Sequence, residues 1–282
     1  MTKFTYYNTD NQTKTNSIET LFPNWQGEKE ALAVFSPHDD DAIIGAGYAM
    51  SAAQANGAAV YVYVMCEGNG GYSDPALKDK IADIRKKETL EAYHAMGIPL
   101  ENIIYFGFSD FGAVLEFGWH PEKPCGSLKR IITTLRENKI TRVMVPNHHR
   151  EHADHTAVHL MGSYDSPQAS DPIVVDWAQP TDIKTVLEYS VWADFSVENA
   201  VESSRSLQLK ANRILKVSPE VEQAIDQGIL LYHSQGEIIH GLIESRKERV
   251  AADGGFIELY INFDPRPKLD FQPYIDFVNK LG

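Results

Sequence analysis

The sequence predicts an α/β protein with a Rossmann-like, mostly parallel sheet and helices on both faces. Three observations predict this class. Short apolar segments alternate with longer helical patterns, polar residues follow the apolar segments, and 43% of the 282 residues are hydrophobic, which is enough for a large core. Strands that alternate with helices form βαβ units with right-handed crossovers, and these units build parallel sheets. A single domain over residues 1–282 is therefore expected.

The elements of the first 165 residues follow from local patterns. Residues 1–28 are expected to form a loosely packed leader, and residues 29–165 the Rossmann-like core. Buried strands are predicted at 31–36, 59–66, 103–106 and 141–145. Helices are predicted at 42–55, 79–96 and 128–138, and another begins at 153. Gly97 provides a typical stop for the second helix.

Residues 166–282 are expected to be the C-terminal part of the same domain. The stretch 166–182 is rich in Pro, Asp and Ser and predicts a loop. Strands are predicted at 186–192 and 256–263, and helices at 219–233 and 238–252. Pro219 suits the first turn of its helix.

Composition excludes several classes of function. A net charge of −13 repels nucleic acid and anionic membranes, so neither is expected as a partner. The two cysteines, Cys66 and Cys125, form no C-x-x-C pattern, so a cysteine-rich zinc site is excluded and each is expected to be a small buried or half-buried side chain. The N-terminus has no apolar signal core and no segment is long enough to span a bilayer, which predicts a cytoplasmic protein.

Two polar segments carry the candidate chemistry. Residues 36–41 (SPHDDD) follow the first predicted strand, and residues 147–155 (NHHREHADH) follow the fourth. Ligands in such sheets bind beyond the carboxyl ends of the strands, and the first and fourth strands are commonly neighbours. We therefore expect the two segments to meet.

Histidine and aspartate from these segments would suit a metal. A catalytic zinc takes three imidazole or carboxylate ligands and leaves one position open, and a nearby carboxylate can serve as base. Each segment alone has a simpler explanation: three Asp before a helix can cap it and offset its dipole, and the histidines can form a solvated turn. The occurrence of both at strand ends favours the metal site.

These motifs resemble those of a known family. SPHDDDAIIGAG resembles the His-Pro-Asp-Asp-Glu signature of the LmbE-like (PIG-L) zinc-dependent N-deacetylases, and HADH resembles their His-Pro-Asp-His motif. The segments EGNGG, IRKKETLEA, GFSDFG and LYHSQ match in the same order. The resemblance covers about residues 30–260 and is greatest to the diacetylchitobiose-deacetylase-like branch.

The resemblance implies a role for each matching residue. His38, Asp41 and His155 would bind Zn²⁺, although another divalent metal is compatible with the same residues. Asp40 would be the general base. The other implied roles are oxyanion stabilisation by His152, orientation of a histidine by Asp154, and substrate binding by Arg85, Asp110 and His233.

Three positions depart from the family pattern. Asp39 and Ala153 replace its prolines, and Ala42 replaces its glutamate. The three consecutive Asp residues make the register ambiguous, and Pro37 and Gly45 fix it so that the base is Asp40. Asp39 either compensates for the missing glutamate or faces water.

The resemblance implies hydrolysis of an N-acetyl or other N-acyl group on a small amino-sugar-type substrate. The alternative is a metal-dependent amidase that acts on a thiol conjugate or an antibiotic-type amide. A homo-oligomer is compatible with either activity.

Two other classes of protein compete. Gly45-Ala46-Gly47 near the first strand suggests a dinucleotide-binding oxidoreductase, but these glycines fall inside the helix and acidic residues precede them. The remaining class is an inactive sugar-binding or metal-storage protein.

Overall fold

The computed structural model describes residues 2–120, 126–149, 151–192, 195 and 210–281, and Cys125 lies outside them. Within these residues, strands form one nine-stranded sheet in the order β2-β1-β8-β9-β7-β6-β3-β4-β5. Their bounds are β1 Phe4–Asn8, β2 Thr13–Thr15, β3 Ala31–Ser36, β4 Ala59–Cys66, β5 Ile103–Phe108, β6 Arg142–Pro146, β7 Thr185–Tyr189, β8 Arg213–Val217 and β9 Phe256–Phe263.

The sheet is parallel in one half and antiparallel in the other. Strands β7, β6, β3, β4 and β5 are parallel. Strands β8 and β9 pair antiparallel with their neighbours and join the C-terminal part of the chain to the same sheet. The predicted α/β class with helices on both faces of a sheet is confirmed, and antiparallel strands extend one side of the parallel half.

The helices cover both faces of the sheet. Their bounds are α1 Asp41–Ala55, α2 Ile81–Ala95, α3 Ser127–Glu137, α4 Ala153–Leu160, α5 Ser166–Gln168, α6 Pro219–Ile229, α7 Gly236–Arg246 and α8 Gln272–Leu281. A π-helical segment, Met161–Asp165, joins α4 to α5. Two hydrophobic clusters fill the space between helices and sheet, one on each face. No helix among the described residues is long and apolar enough to cross a bilayer.

The prediction of a loosely packed leader is wrong. Phe4, Tyr6, Leu21 and Phe22 are buried, and β1 pairs with both β2 and β8. The partner strand β8 lies about 200 residues away in the sequence, with Phe4 opposite Val217. Local patterning did not reveal β1 because its stability comes from this distant pairing and from the core beneath it.

Helix α1 is buried on nearly every side, which explains its glycines. A Cβ atom on Gly45 would lie 2.5 Å from Tyr189 Cδ2, and one on Gly47 would lie 3.0 Å from Ile225 Cδ1. Both glycines therefore allow the helix to approach its neighbours closely. They lie inside α1 and not in the turn before it, where a dinucleotide-binding loop would need them.

Candidate active site

The two polar segments leave the same edge of the sheet. β3 and β6 are parallel neighbours, with Leu32 opposite Arg142 and Val34 opposite Met144. Their carboxyl ends are therefore side by side, and the structure brings residues 37–41 together with residues 147–149 and 151–155, as expected for neighbouring strands.

The three predicted ligands face one another. Asp41 Oδ2 lies 3.1 Å from His38 Nδ1 and 3.1 Å from His155 Nε2. The ligand atoms of all three residues lie within 4.8 Å of one another. Two imidazoles and one carboxylate form a donor set that suits zinc and similar divalent metals, so these residues fit the metal that the sequence implies.

A carboxylate fixes the second nitrogen of each imidazole. Asp154 Oδ2 lies 3.3 Å from His38 Nε2, and Glu151 Oε2 lies 2.7 Å from His155 Nδ1. Carboxylates in this position set the tautomer and orientation of metal-binding histidines. The family resemblance implies such a role for Asp154, and Asp154 lies beside His38 in the structure.

Glu151 was missed by the sequence analysis. Its side chain is fully buried, and Oε1 accepts hydrogen bonds from the backbone N–H groups of Val191 and Trp192. Its position four residues before His155 was the available signal. That signal was weak because α4 begins only at Ala153, so helical spacing did not apply to Glu151.

The trio attracts positive charge. Although burial disfavours the His38 imidazolium, hydrogen bonds to Asp154 and Asp41 raise the pKa of His38 well above its usual value. Burial likewise opposes protonation of His155, but the charge and hydrogen bonds of Asp41 and Glu151 raise its pKa to about 9. The carboxylates thus favour a cation, and protons occupy these nitrogens when no metal competes.

Asp40 lies next to the trio at the start of α1. It occupies the N-cap position but makes no side-chain cap hydrogen bond. Burial and the negative charges of Asp39 and Asp41 raise the Asp40 pKa to about 7, although the positive charge of Arg85 opposes this shift. A carboxyl group whose pKa lies near neutrality can both accept and return a proton.

Asp39 does not face water. It is buried and binds the guanidinium of Arg85 through both carboxylate oxygens, with Nε to Oδ2 at 3.0 Å. The hydroxyl groups of Tyr93 and Tyr232 donate to its backbone carbonyl at 2.9 and 2.8 Å. The residue that replaces the family proline is therefore an anchor for Arg85.

Arg85 is held beneath the glycine-rich loop that follows β4. Its side chain is 6% exposed, and a Cβ atom on Gly71 would lie 2.0 Å from its Nη1. Nη2 also lies 3.6 Å from Asp40 Oδ1. Arg85 therefore supports Asp39 and Asp40 in this conformation, and its contact with substrate stays a prediction.

His152 presents one nitrogen to the open side of the site. Its Nδ1 accepts a hydrogen bond from the backbone N–H of Asp154 at 3.2 Å, so the neutral ring carries its proton on Nε2. Burial and the nearby His38 charge lower the His152 pKa, which favours this neutral form. Glu151, His152, Ala153 and Thr156 line an open cleft of about 490 Å³.

The loop after β5 braces the site and exposes an aromatic ring. Both carboxylate oxygens of Asp110 accept backbone hydrogen bonds, from Gly68 and Gly70, each at 2.9 Å. A role for Asp110 in binding substrate stays a prediction. Phe111 has a left-handed backbone with φ of 63° and is 69% exposed. Its ring centroid lies 5.0 Å from that of His152, a contact that no sequence pattern indicated.

The Arg-x-x-Glu and LYHSQ motifs meet at one side of the site. Glu88 is buried and accepts hydrogen bonds from the Ser234 N–H at 2.8 Å and hydroxyl at 2.6 Å. His233 is exposed and lines a cavity of about 530 Å³ together with Tyr72. Its substrate contact stays a prediction.

The chain resembles known proteins in sequence and in structure. Residues 33–163 match the family model of PIG-L, described as GlcNAc-PI de-N-acetylase. No protein of curated function matches the sequence.

Several solved structures share the fold. N,N'-diacetylchitobiose deacetylase from Pyrococcus horikoshii has a TM-score of 0.63 and 16% identity, over 84% of each chain. GalB, the 4-carboxy-2-hydroxymuconate hydratase from Pseudomonas putida KT2440, has a TM-score of 0.65 and 15% identity, over 86% of this chain and 99% of that one. The zinc-inhibited form of the teicoplanin deacetylase Orf2 has a TM-score of 0.56 and 20% identity, over 83% and 99%.

Proposed function

We propose that this chain, whose residues 33–163 match the PIG-L family model, is a metal-dependent N-deacetylase acting on an amino sugar or a related small molecule. The observation that carries the proposal is the convergence of His38, Asp41 and His155 beside Asp40, whose side chain makes no helix-capping hydrogen bond. The family description supports the removal of an acetyl group from nitrogen.

His38, Asp41 and His155 would hold the metal, for which we propose zinc. When bound, a divalent cation polarises the acyl carbonyl and makes water more acidic. The outer carboxylates Asp154 and Glu151 would keep both imidazoles oriented.

Asp40 would move the proton. As the general base it takes a proton from the attacking water, whose oxygen forms a bond with the acyl carbon. The carbon–nitrogen bond then breaks, and the Asp40 carboxyl gives that proton to the leaving amine. The products are acetate and the free amine.

His152 would stabilise the oxygen that becomes negative during the attack. The Nε2–H of its neutral ring is the donor available on the open side, because Nδ1 is already engaged by the Asp154 N–H. A donor positioned before the reaction stabilises developing charge at little cost in reorganisation.

A second candidate substrate is an amide with a large apolar group, as in an antibiotic. The segment from Phe111 to Trp119 exposes Phe111, Val114, Leu115 and Trp119 by 56–77%. Exposed apolar clusters near a site typically mark a binding surface. This surface favours an acceptor larger than one sugar ring.

Acetate release tests the proposed function. The metal-loaded protein is assayed with N-acetylglucosamine, N,N'-diacetylchitobiose and an N-acetylated aromatic amine. We expect release from at least one of them, loss after exhaustive chelation, and recovery when Zn²⁺ is added. No release from any substrate, or activity that survives chelation, refutes the proposal.

Replacing Phe111 with alanine is expected to raise KM and leave kcat nearly unchanged. A lost aromatic contact of about 0.5–1.5 kcal/mol corresponds to roughly a 2- to 10-fold increase. Because alanine is strained at a φ of 63°, Phe111→Gly serves as a second variant without that strain. An equal rise in both variants assigns the effect to the ring, whereas unchanged KM values remove Phe111 from the substrate site.

Replacing Glu151 with glutamine is expected to weaken metal binding by about 10- to 100-fold. The amide removes the charge that orients His155 and places an N–H₂ group near the Val191 and Trp192 amides. Competition with a chromogenic chelator measures the affinity, and exposed Glu91→Gln is the matched control. Wild-type affinity in Glu151→Gln would show that His155 is oriented without this contact.

A further inference from the structure

A second cluster of potential metal ligands lies outside the trio of His38, Asp41 and His155. We call His148, His159 and Glu188 the β6–β7 cluster, because Glu188 lies on β7 opposite Val145 of β6. His148 follows β6 by two residues, and His159 lies on α4. The ligand atoms of all three lie within 4.8 Å of one another, with His148 Nδ1 3.2 Å from Glu188 Oε1.

His159 is set up as a ligand by the backbone. Its Nδ1 lies 2.9 Å from the carbonyl oxygen of Pro146. A carbonyl only accepts, so Nδ1 must carry the proton and Nε2 keeps its lone pair. The ring stacks on Phe263 with centroids 6.0 Å apart, which fixes its orientation. A metal-binding histidine typically has its other nitrogen held in this way.

Glu188 is a buried carboxylate with little positive charge near it. It is 5% exposed, and among the described residues its ion-pair partner is His148. Within that part, no Lys or Arg forms a salt bridge with it. A buried carboxylate beside two imidazoles is stabilised by a cation.

We propose that the β6–β7 cluster is a second cation site, which binds a transition-metal ion of the zinc class. A site with two imidazoles and one carboxylate favours such ions over Mg²⁺ or Ca²⁺, which prefer oxygen ligands. The His148 side chain is 51% exposed, so an ion can enter from solvent and water can complete its coordination. The site is distinct from the trio, since His159 lies one helical turn beyond His155, about 6 Å along α4.

A bound ion would tie three elements together. It would link the segment after β6 to β7 and to α4. That segment also carries Glu151 and His152, so the second ion would restrain the loop on which the catalytic residues lie.

Metal stoichiometry tests the proposal. The whole protein is stripped with chelator and titrated with Co²⁺, whose visible spectrum reports imidazole coordination, and with Zn²⁺ by calorimetry. We expect the wild type to bind two equivalents of metal. His148→Ala and Glu188→Gln should each bind one equivalent. Asp41→Asn, which damages the trio, should also bind one. Exposed His240→Ala is the matched control and should bind two. Thermal unfolding checks that each variant is folded.

The outcomes separate the two sites. One equivalent in the wild type that is lost in Asp41→Asn and kept in His148→Ala overturns the second site. Two equivalents in both the wild type and His148→Ala also overturn it, because the second ion then binds elsewhere. One equivalent that persists in Asp41→Asn and disappears in His148→Ala supports the second site and refutes the catalytic one.

Discussion

Replacing Asp40 with asparagine should leave the metal bound and lower kcat by about 10²–10⁴. Asparagine keeps the size of the side chain but cannot accept the proton of the attacking water. The proposed ligands His38, Asp41 and His155 are untouched, so the metal content should match that of the wild type. Steady-state acetate release and metal analysis on the same preparation measure both quantities.

A matched control separates loss of the base from general damage. Asp83 is exposed on α2, and Asp83→Asn should keep wild-type kcat. Near-normal turnover in Asp40→Asn would refute the assignment of the base. Loss of the metal in that variant would instead assign Asp40 a part in binding it.

Replacing His155 with alanine should abolish metal binding at the trio and with it the activity. His155 is one of the three proposed ligands and is 1% exposed. Removing a direct ligand should therefore cost more affinity than the roughly 10- to 100-fold expected for an outer carboxylate. It also leaves Glu151 buried without its imidazole partner, so the unfolding temperature should fall.

The metal measurement must distinguish the trio from the β6–β7 cluster. His155→Ala is therefore also made together with His148→Ala, and the double variant should bind close to no metal. His94→Ala, on an exposed face of α2, controls for loss of a histidine. A full metal complement at the trio in His155→Ala would contradict the proposed ligand set.

The parallel half of the fold was predictable because its signals are local. The runs at 31–36 and 59–66 became β3 and β4 with the predicted bounds, and the run at 256–263 became β9. Each has enough apolar or alternating residues to mark a strand without knowledge of its partner. By contrast, β8 is short and half-buried, and α8 has no buried side chain, and neither was predicted.

Some helix ends were also placed too far along the chain. The helix predicted at 219–233 ends at Ile229, and the one predicted at 238–252 spans Gly236–Arg246. Between them, Ser234 turns to bind Glu88 and Gln235 donates to the Gly71 carbonyl at 2.7 Å. These contacts with distant segments end the first helix where its own apolar pattern would continue.

The candidate site divides in the same way. The family resemblance of the sequence was sufficient to propose His38, Asp41 and His155 as ligands, and the predicted strands before them were sufficient to expect that the two segments meet. The sequence was not sufficient to show that Asp39 anchors Arg85, that Glu151 contacts His155, or that Phe111 packs beside His152. Asp39 and Arg85 are 46 positions apart, and Glu151 precedes the start of α4. The exposure of Phe111 depends on its left-handed backbone angle. The type of each residue and the periodicity of a segment can be read from neighbouring positions in the sequence. The hydrogen-bond partners and the exposure of a side chain are set only when distant segments pack together.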